Sequence, residues 1–178
     1  ATLRWHGITD GRILAAMGAV PRHRFIPPGL RGGDAYDDHP CSIGHGQTIS
    51  QPFIVAHMSL LVEAGPGVRV LEVGCGCGYQ AAVLAELGAT VYSIERIAPL
   101  AEHAREVLAA CGYDTVQVRT GDGYLGWPEE APFDGILAAC AAPSVPPALV
   151  QQLAEGGRLV LPLGAEAQRL VVLRRAGS

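Results

Sequence analysis

The chain has 178 residues, 49% of them hydrophobic and 17% charged, with a formal net charge of −4. That length suits one domain burying roughly 68–70% of its unfolded surface, and this composition excludes an intrinsically disordered chain. No apolar run reaches the ~20 residues of a membrane span, and an acidic balance without a basic block or stripe argues against nucleic acid or an anionic membrane as partner.

Residues 1–67 read as a mixed helical and loop section. A short helix is expected from Thr9 to Gly18, with Thr9 as N-cap and Ile13, Leu14 and Met17 on one side. Pro21 and then Pro27-Pro28-Gly29 stop regular structure, and Arg31 to Ile43 reads as loop. A second helix begins near Ser50, with Pro52 in its first turn and Ile54, Met58, Leu61 and Val62 at helical spacing; Gly65-Pro66-Gly67 closes it. From Val68 the pattern alternates. A buried strand Val68–Val73 precedes a helix Tyr79–Leu87, and a strand Thr90–Ile94 precedes a helix whose apolar face runs from Ile97 to Cys111. Strands follow at Thr115–Arg119, Asp134–Ala139, Arg158–Leu163 and Gln168–Arg174, with a helix near Ala148–Leu153. Alternating strands and helices predict an α/β fold with a doubly wound, mainly parallel sheet, residues 68–178 forming its core within one domain.

Three features on this frame bear on chemistry. Gly74, Gly76 and Gly78 sit where the first core strand turns into a helix, a place where glycines let a ligand approach the backbone. Glu95 ends the second strand, where an acid can accept hydrogen bonds from a ribose hydroxyl pair. Asp122, inside Gly121-Asp122-Gly123, follows the third strand and reaches the same edge of the sheet. Each acid also has a structural reading, Glu95 as a cap of the next helix and Asp122 as a turn residue. The dinucleotide fingerprint needs a glycine where Tyr79 stands, which disfavours a nicotinamide or flavin. All thirteen basic residues are arginine, so a Schiff-base lysine or a P-loop lysine is excluded.

Five cysteines without a Cys-x-x-Cys pair do not make a disulfide framework. Cys75 and Cys77 read as small packing residues beside a ligand, not as a metal site. With no signal-type N-terminus, the expected location is the cytoplasm. His57, inside a helix, reads as packing; His45 shapes its loop, and Tyr79 and Trp127 read as core or pocket wall. Ser50 is a ready N-cap, and with Thr48 it can equally offer a hydroxyl to a carboxylate at a helix start, where free N–H groups and the helix dipole favour an anion.

The run Ile43-Gly44-His45-Gly46-Gln47-Thr48-Ile49-Ser50-Gln51-Pro52 ahead of Leu71-Glu72-Val73-Gly74-Cys75-Gly76-Cys77-Gly78 resembles the protein-L-isoaspartate O-methyltransferase family. Further matching blocks are Val20-Pro21-Arg22-His23-Arg24-Phe25, Ala35-Tyr36-Asp37-Asp38, Gly121-Asp122-Gly123-Tyr124 and Ala131-Pro132-Phe133-Asp134. The resemblance implies a Rossmann-like methyltransferase fold and S-adenosylmethionine as cosubstrate. It implies cofactor contacts at Thr48, Ile49, Glu72, Gly74, Gly76, Gly78, Glu95, Arg96, Asp122 and Gly123, with Ser50 as the active-site serine and no metal.

The implied reaction is methylation of the free carboxylate of L-isoaspartyl residues in damaged proteins or peptides, by a monomer, initiating repair through a succinimide. A relative acting on an ordinary aspartate in one dedicated peptide, or a non-catalytic cofactor-binding module, are the competing readings. The chain departs from the family by its cysteines at 75 and 77, where Thr or Ser is usual, and by stopping at Ser178, where a further segment usually follows.

Overall fold

In a computed structural model that describes residues 2–30, 33–164 and 167–177, the sheet expected from residue 68 onward is present with its crossovers. Its strands are β3 (Arg69–Val73), β4 (Thr90–Glu95), β5 (Gln117–Thr120), β6 (Phe133–Ala138), β7 (Leu153–Leu163) and β8 (Arg169–Arg174), preceded in the chain by a separate hairpin of β1 (Cys41–Gly44) and β2 (Gln47–Ile49). The order across the sheet is β5-β4-β3-β6-β7-β8. Every pairing is parallel except β7 with β8, which run antiparallel. The chain leaves β3 toward one edge and later returns to pair β6 on the other side. The carboxyl ends of β3 and β6 therefore flank a topological switch point, the usual ligand crevice of such sheets.

The helices are α1 (Thr2–Trp5), α2 (Gly11–Ala19), α3 (Pro52–Leu61), α4 (Tyr79–Glu86), α5 (Ala98–Ala110) and α6 (Pro147–Gln151). One face of the sheet packs α4 and α5, with α2 and α3 against α4 and the end of α3 over β6 at Val62, around a large core that includes Phe25, Val55, Val70, Leu84 and Leu108. The other face is covered more thinly, by α6 and the turns after β5, around Leu71, Tyr92, Phe133, Ile136 and Leu159. The start of β3 is fastened to β6 by Asp134, whose carboxylate accepts the Arg69 N–H at 2.8 Å. Among the described residues no helix is long and apolar enough to cross a membrane.

The core agrees with the sequence pattern in the order and type of its elements, although β5 begins at Gln117 instead of Thr115, and β7 already at Leu153, where the end of a helix was expected. The N-terminal section, besides the unanticipated α1, departs from the pattern in three ways. Asp10, not Thr9, caps α2, its carboxylate accepting the Arg12 and Ile13 N–H groups at 2.8 and 3.4 Å. The stretch read as loop up to Ile43 ends in the β1–β2 hairpin, so this section is not purely helical and loop; Arg31 and Gly32, its first residues, lie outside the described ones. His45 and Gly46 at the hairpin tip both have positive φ, 53° and 69°, the requirement of a tight type I′ turn. Third, α3 is not capped by Ser50. Gln51 holds the cap position without a side-chain bond, and the Phe53 N–H is met at 2.8 Å by Asp38 from a distant loop. The expected end at Ser178 also lies outside the described residues.

Candidate active site

The loop Gly74–Gly78 leaves β3 at the switch point and is tied to the end of β4. The N–H groups of Gly74 and Cys75 both donate to the Ile94 carbonyl, at 2.8 and 3.1 Å. Glu95 completes the tie. One carboxylate oxygen accepts the Gly76 N–H at 2.8 Å and the other accepts Ile97 N–H at 2.9 Å, at the start of α5. Of the two sequence readings of Glu95, the structural one is seen as a bond to the residue before the helix, and the ligand one stays an expectation. Glu95 braces the loop and the next helix, and each oxygen keeps a lone pair for a ligand hydroxyl.

Gly76 has φ +55° and sits under the β1–β2 hairpin; a Cβ there would lie 3.2 Å from Ile43 Cδ1. The hairpin thus rests on the glycine loop. Gly78 has another task. Its missing Cβ admits Leu108 of α5, at 3.1 Å, and it lines neither cavity of the cleft.

Two adjoining cavities open at this edge. The deeper one, about 80 Å³, lies between β2 and the glycine loop and is walled by Thr48, Ile49, Ser50, Glu72, Gly74 and Cys75, among others. The wider one, about 300 Å³, runs over the ends of β4 and β5 past Glu95, Arg96, Asp122, Gly123 and Tyr124. Gln47, Gly74, Glu95 and Cys140 line both, so they form one continuous cleft. All the sequence-derived site residues except Gly78 line it. Asp122 keeps its turn role too, accepting the Tyr124 N–H at 3.0 Å through one oxygen. Gln47, Gln80, Ala139 and Cys140 were not anticipated. The rule that ligands gather at the carboxyl ends flanking the switch point would have found Ala139 and Cys140, directly after β6.

Glu72 is fully buried at the base of the deeper cavity. On the neighbouring strand Ser93 is its register partner and donates its hydroxyl to one carboxyl oxygen; the other has no hydrogen-bond partner among the described residues. Burial, with Glu95 adding like charge, pushes the Glu72 carboxyl up to about 8, against the Ser93 bond that lowers it. A buried carboxyl with one oxygen unpartnered beside a cavity is a candidate binding group. With Glu95 and Asp122 it gives the cleft three acids, a set suited to a ligand that carries cationic and hydroxyl groups.

The two loop cysteines are buried and burial raises both thiols, Cys77 to about 12, so neither is a thiolate at neutral pH. They act as small side chains, as expected. His57 stacks on Phe53 at 5.4 Å and lines neither cavity, and His45 sits exposed at the hairpin tip. Tyr79 is buried in the cleft wall, and Trp127 packs edge-on against Tyr92 in the second core.

On the acceptor side, the Ser50 hydroxyl makes no hydrogen bond among the described residues, although it lines the cavity and its backbone carbonyl is held by Arg22 at 2.8 Å. The start of α3 offers an incoming anion fewer N–H groups than the sequence suggests. Pro52 has no N–H, and the Phe53 N–H is already taken by the Asp38 carboxylate. The deeper cavity presents the hydroxyl of Ser50 and the adjacent hairpin to an incoming carboxylate.

The family model described as protein-L-isoaspartate(D-aspartate) O-methyltransferase matches residues 1–178. A protein-L-isoaspartate O-methyltransferase of Gloeobacter violaceus is 53% identical over 175 residues, covering 97% of this chain and 85% of the relative. One from a Synechococcus strain is 59% identical over 158 residues, covering 89% of this chain and 64% of its own length. A solved structure named protein-L-isoaspartate O-methyltransferase superposes with a TM-score of 0.88 at 30% identity, over 98% of this chain and 58% of that one. A Plasmodium falciparum structure, named a putative protein-L-isoaspartate O-methyltransferase in complex with S-adenosyl-L-homocysteine, gives 0.86 at 27% identity, over 99% of this chain and 88% of that one.

Proposed function

The chain belongs to the protein-L-isoaspartate(D-aspartate) O-methyltransferase family, and from that premise we propose how its residues transfer a methyl group from S-adenosylmethionine to the free carboxylate of an L-isoaspartyl residue. S-adenosylmethionine supplies an electrophilic methyl on a sulfonium. The cleft residues fit it: a glycine loop open to close approach, the half-satisfied Glu72 carboxyl below, and Glu95 and Asp122 along the wider cavity. Glu95 and Asp122 would accept from its hydroxyl and amine donors, the buried Glu72 carboxyl would offer its unpartnered oxygen from below, and Arg96 flanks the mouth.

The acceptor needs no general base. A carboxylate with a pKa near ~4 is already anionic at neutral pH, and no histidine lines the cleft among the described residues. Ser50 donates its hydroxyl to one oxygen of that carboxylate and aims the other at the methyl, while Ile49 and the hairpin exclude water between the reactants. The ester formed then collapses off the enzyme. The neighbouring backbone amide nitrogen attacks the ester carbonyl, loses its proton and expels methanol, giving a succinimide whose hydrolysis returns part of the damaged residue to aspartate. We also read the enzyme as cytoplasmic, where its five unpaired thiols stay reduced.

The observation that carries this reading is a serine hydroxyl that bonds nothing among the described residues, in the same cavity wall as a buried carboxyl with one oxygen unpartnered among them. Transfer of labelled methyl from S-adenosylmethionine to paired peptides, identical except for isoaspartate or aspartate, tests it. Labelling of the isoaspartyl peptide is the expected result; labelling of the aspartyl peptide alone would assign a dedicated substrate instead.

A further inference from the structure

Arg22 is an uncommon residue in this fold: an arginine with no exposure at all and no ion pair to any carboxylate among the described residues. Burying a cation in this way is costly, and a buried methionine or leucine would fill similar space without that cost. Its guanidinium makes three bonds, all to backbone carbonyls. Nε donates to Ala35 at 2.8 Å, one terminal nitrogen to Ser50 at 2.8 Å and the other to His39 at 3.3 Å. The same group lies over the ring of Tyr79, 5.0 Å from its centroid. Tyr79 opens α4 directly after the glycine loop and lines the deeper cavity. One side chain therefore touches the acceptor segment at Ser50, the loop carrying Ala35 and His39, and the first turn behind the glycine loop.

The neighbouring Asp38 works on the same segment from the other side. It accepts the Phe53 N–H at 2.8 Å and faces the Gln51 amide at 3.5 Å, with His6 3.2 Å from its second oxygen. Residues 50–53 are thus held by a cation on the Ser50 carbonyl and an anion on the start of α3. The charge of Arg22 is also felt in the cleft wall, since it lowers both the Cys77 thiol and the Tyr79 hydroxyl against the rise that burial imposes.

We infer that Arg22 is a positioning residue for methyl transfer, pinning the Ser50 peptide against the first turn of α4 so that acceptor and methyl donor meet in register. The inference rests on the functional reading above. Its physical content is that a planar fork with fixed donors can hold three carbonyls and a ring at once, which a single ammonium cannot. With the Ser50 carbonyl drawn toward Arg22, rotation of that peptide is blocked. The hydroxyl is then confined to the cavity side without a bond of its own.

The test compares wild type with Arg22→Lys, and with Arg22→Ala assayed in the presence and absence of millimolar guanidinium ion. Three quantities are read: kcat and KM for an isoaspartyl peptide, affinity for S-adenosylhomocysteine by calorimetry, and the melting temperature. Arg22→Lys is expected to bind S-adenosylhomocysteine within about twofold of wild type while kcat falls about 10- to 100-fold, the cost of a misplacement near 1 Å. Guanidinium is expected to restore part of the lost rate in Arg22→Ala, saturably.

A lysine variant with wild-type kcat overturns the inference. So does one that loses kcat, S-adenosylhomocysteine affinity and melting temperature together, because that pattern is plain destabilisation. If Arg22→Ala does not fold, the lysine variant decides alone. A wild type inactive on the isoaspartyl peptide would sink the function itself and the role of Arg22 in it, whereas an active wild type with an unaffected variant sinks Arg22 alone.

Discussion

Glu72 offers the sharpest physical test of the cleft, through the substitution Glu72→Gln. The carboxyl is raised from its usual 4.5 to about 8, burial being the main cause. Between those values the folded chain keeps a proton that the unfolded chain has released. Stability must therefore fall as pH rises through the window, at up to ~1.4 kcal/mol per pH unit, and level off above the folded value. The whole interval corresponds to about 5 kcal/mol as a ceiling. The amide that Glu72→Gln introduces cannot ionise, yet it still presents an oxygen to the Ser93 hydroxyl that now bonds Glu72. Wild type and variant should then melt together near pH 5 and diverge toward pH 8.5, the variant being more stable. At ~2–4 °C per kcal/mol for a chain of this size, that ceiling corresponds to a gap of roughly 10–20 °C. Thermal melts of both proteins from pH 5 to 9 supply the assay, and titrations common to both cancel in the difference. Parallel melting curves, or a wild type that gains on the variant as pH rises, would refute a buried neutral carboxyl at position 72.

Ser50→Ala should leave the melting temperature unchanged, because the hydroxyl bonds nothing within the described protein. It should lower kcat/KM for isoaspartyl peptide ~10- to 100-fold, the worth of one hydrogen bond to a charged group; a variant as active as wild type removes Ser50 from the mechanism. Gly76→Ala places a Cβ 3.2 Å from Ile43 Cδ1 at φ +55°. That should cost ~1–2 kcal/mol of stability and weaken S-adenosylhomocysteine binding, both readable by melts with and without ligand. Asp122→Asn should weaken S-adenosylhomocysteine about tenfold in calorimetry, the loss of a charge-assisted bond, while KM for the peptide stays put. A shift in peptide KM alone would move Asp122 to the acceptor side.

The parts of the site that the sequence made legible are those built from consecutive residues. Strand β3, the glycine loop and α4 follow one another within residues 69–86, and Glu95 and Asp122 each end or follow a strand recognisable by its own pattern. Rules of local spacing reach such features. They do not separate Gly76 from Gly78, since both positions forbid a side chain and only the structure shows Ile43 over one and Leu108 over the other. Ser50 shows the opposite failure. It is the nearest residue that can cap α3, and the local rule chose it, but Asp38 supplies the bond from fifteen residues before Phe53. The hairpin escaped because its strands are only four and three residues long, too short for alternation to register. Its turn also uses His45-Gly46 in place of the usual Asn-Gly.

This division follows the chemistry of the two reactants. A nucleoside-bearing ligand can be held by loops at successive strand ends, so its contacts lie at fixed intervals along the chain. The acceptor is one carboxylate carried on a protein or peptide, and its partner is a single hydroxyl whose direction must be set by neighbours. Those neighbours come from residues 22, 35, 38 and 39, far from Ser50 in sequence and joined to its segment by Arg22 and Asp38. A buried arginine bonded to backbone carbonyls leaves no trace in composition or periodicity, and Arg22 enters the sequence reading only inside the block Val20-Pro21-Arg22-His23-Arg24-Phe25, with no role attached. The two halves meet where Ile43 rests on Gly76 and where Arg22 stacks on Tyr79. Perturbing either contact should change how acceptor and donor face each other before it changes how tightly either one binds.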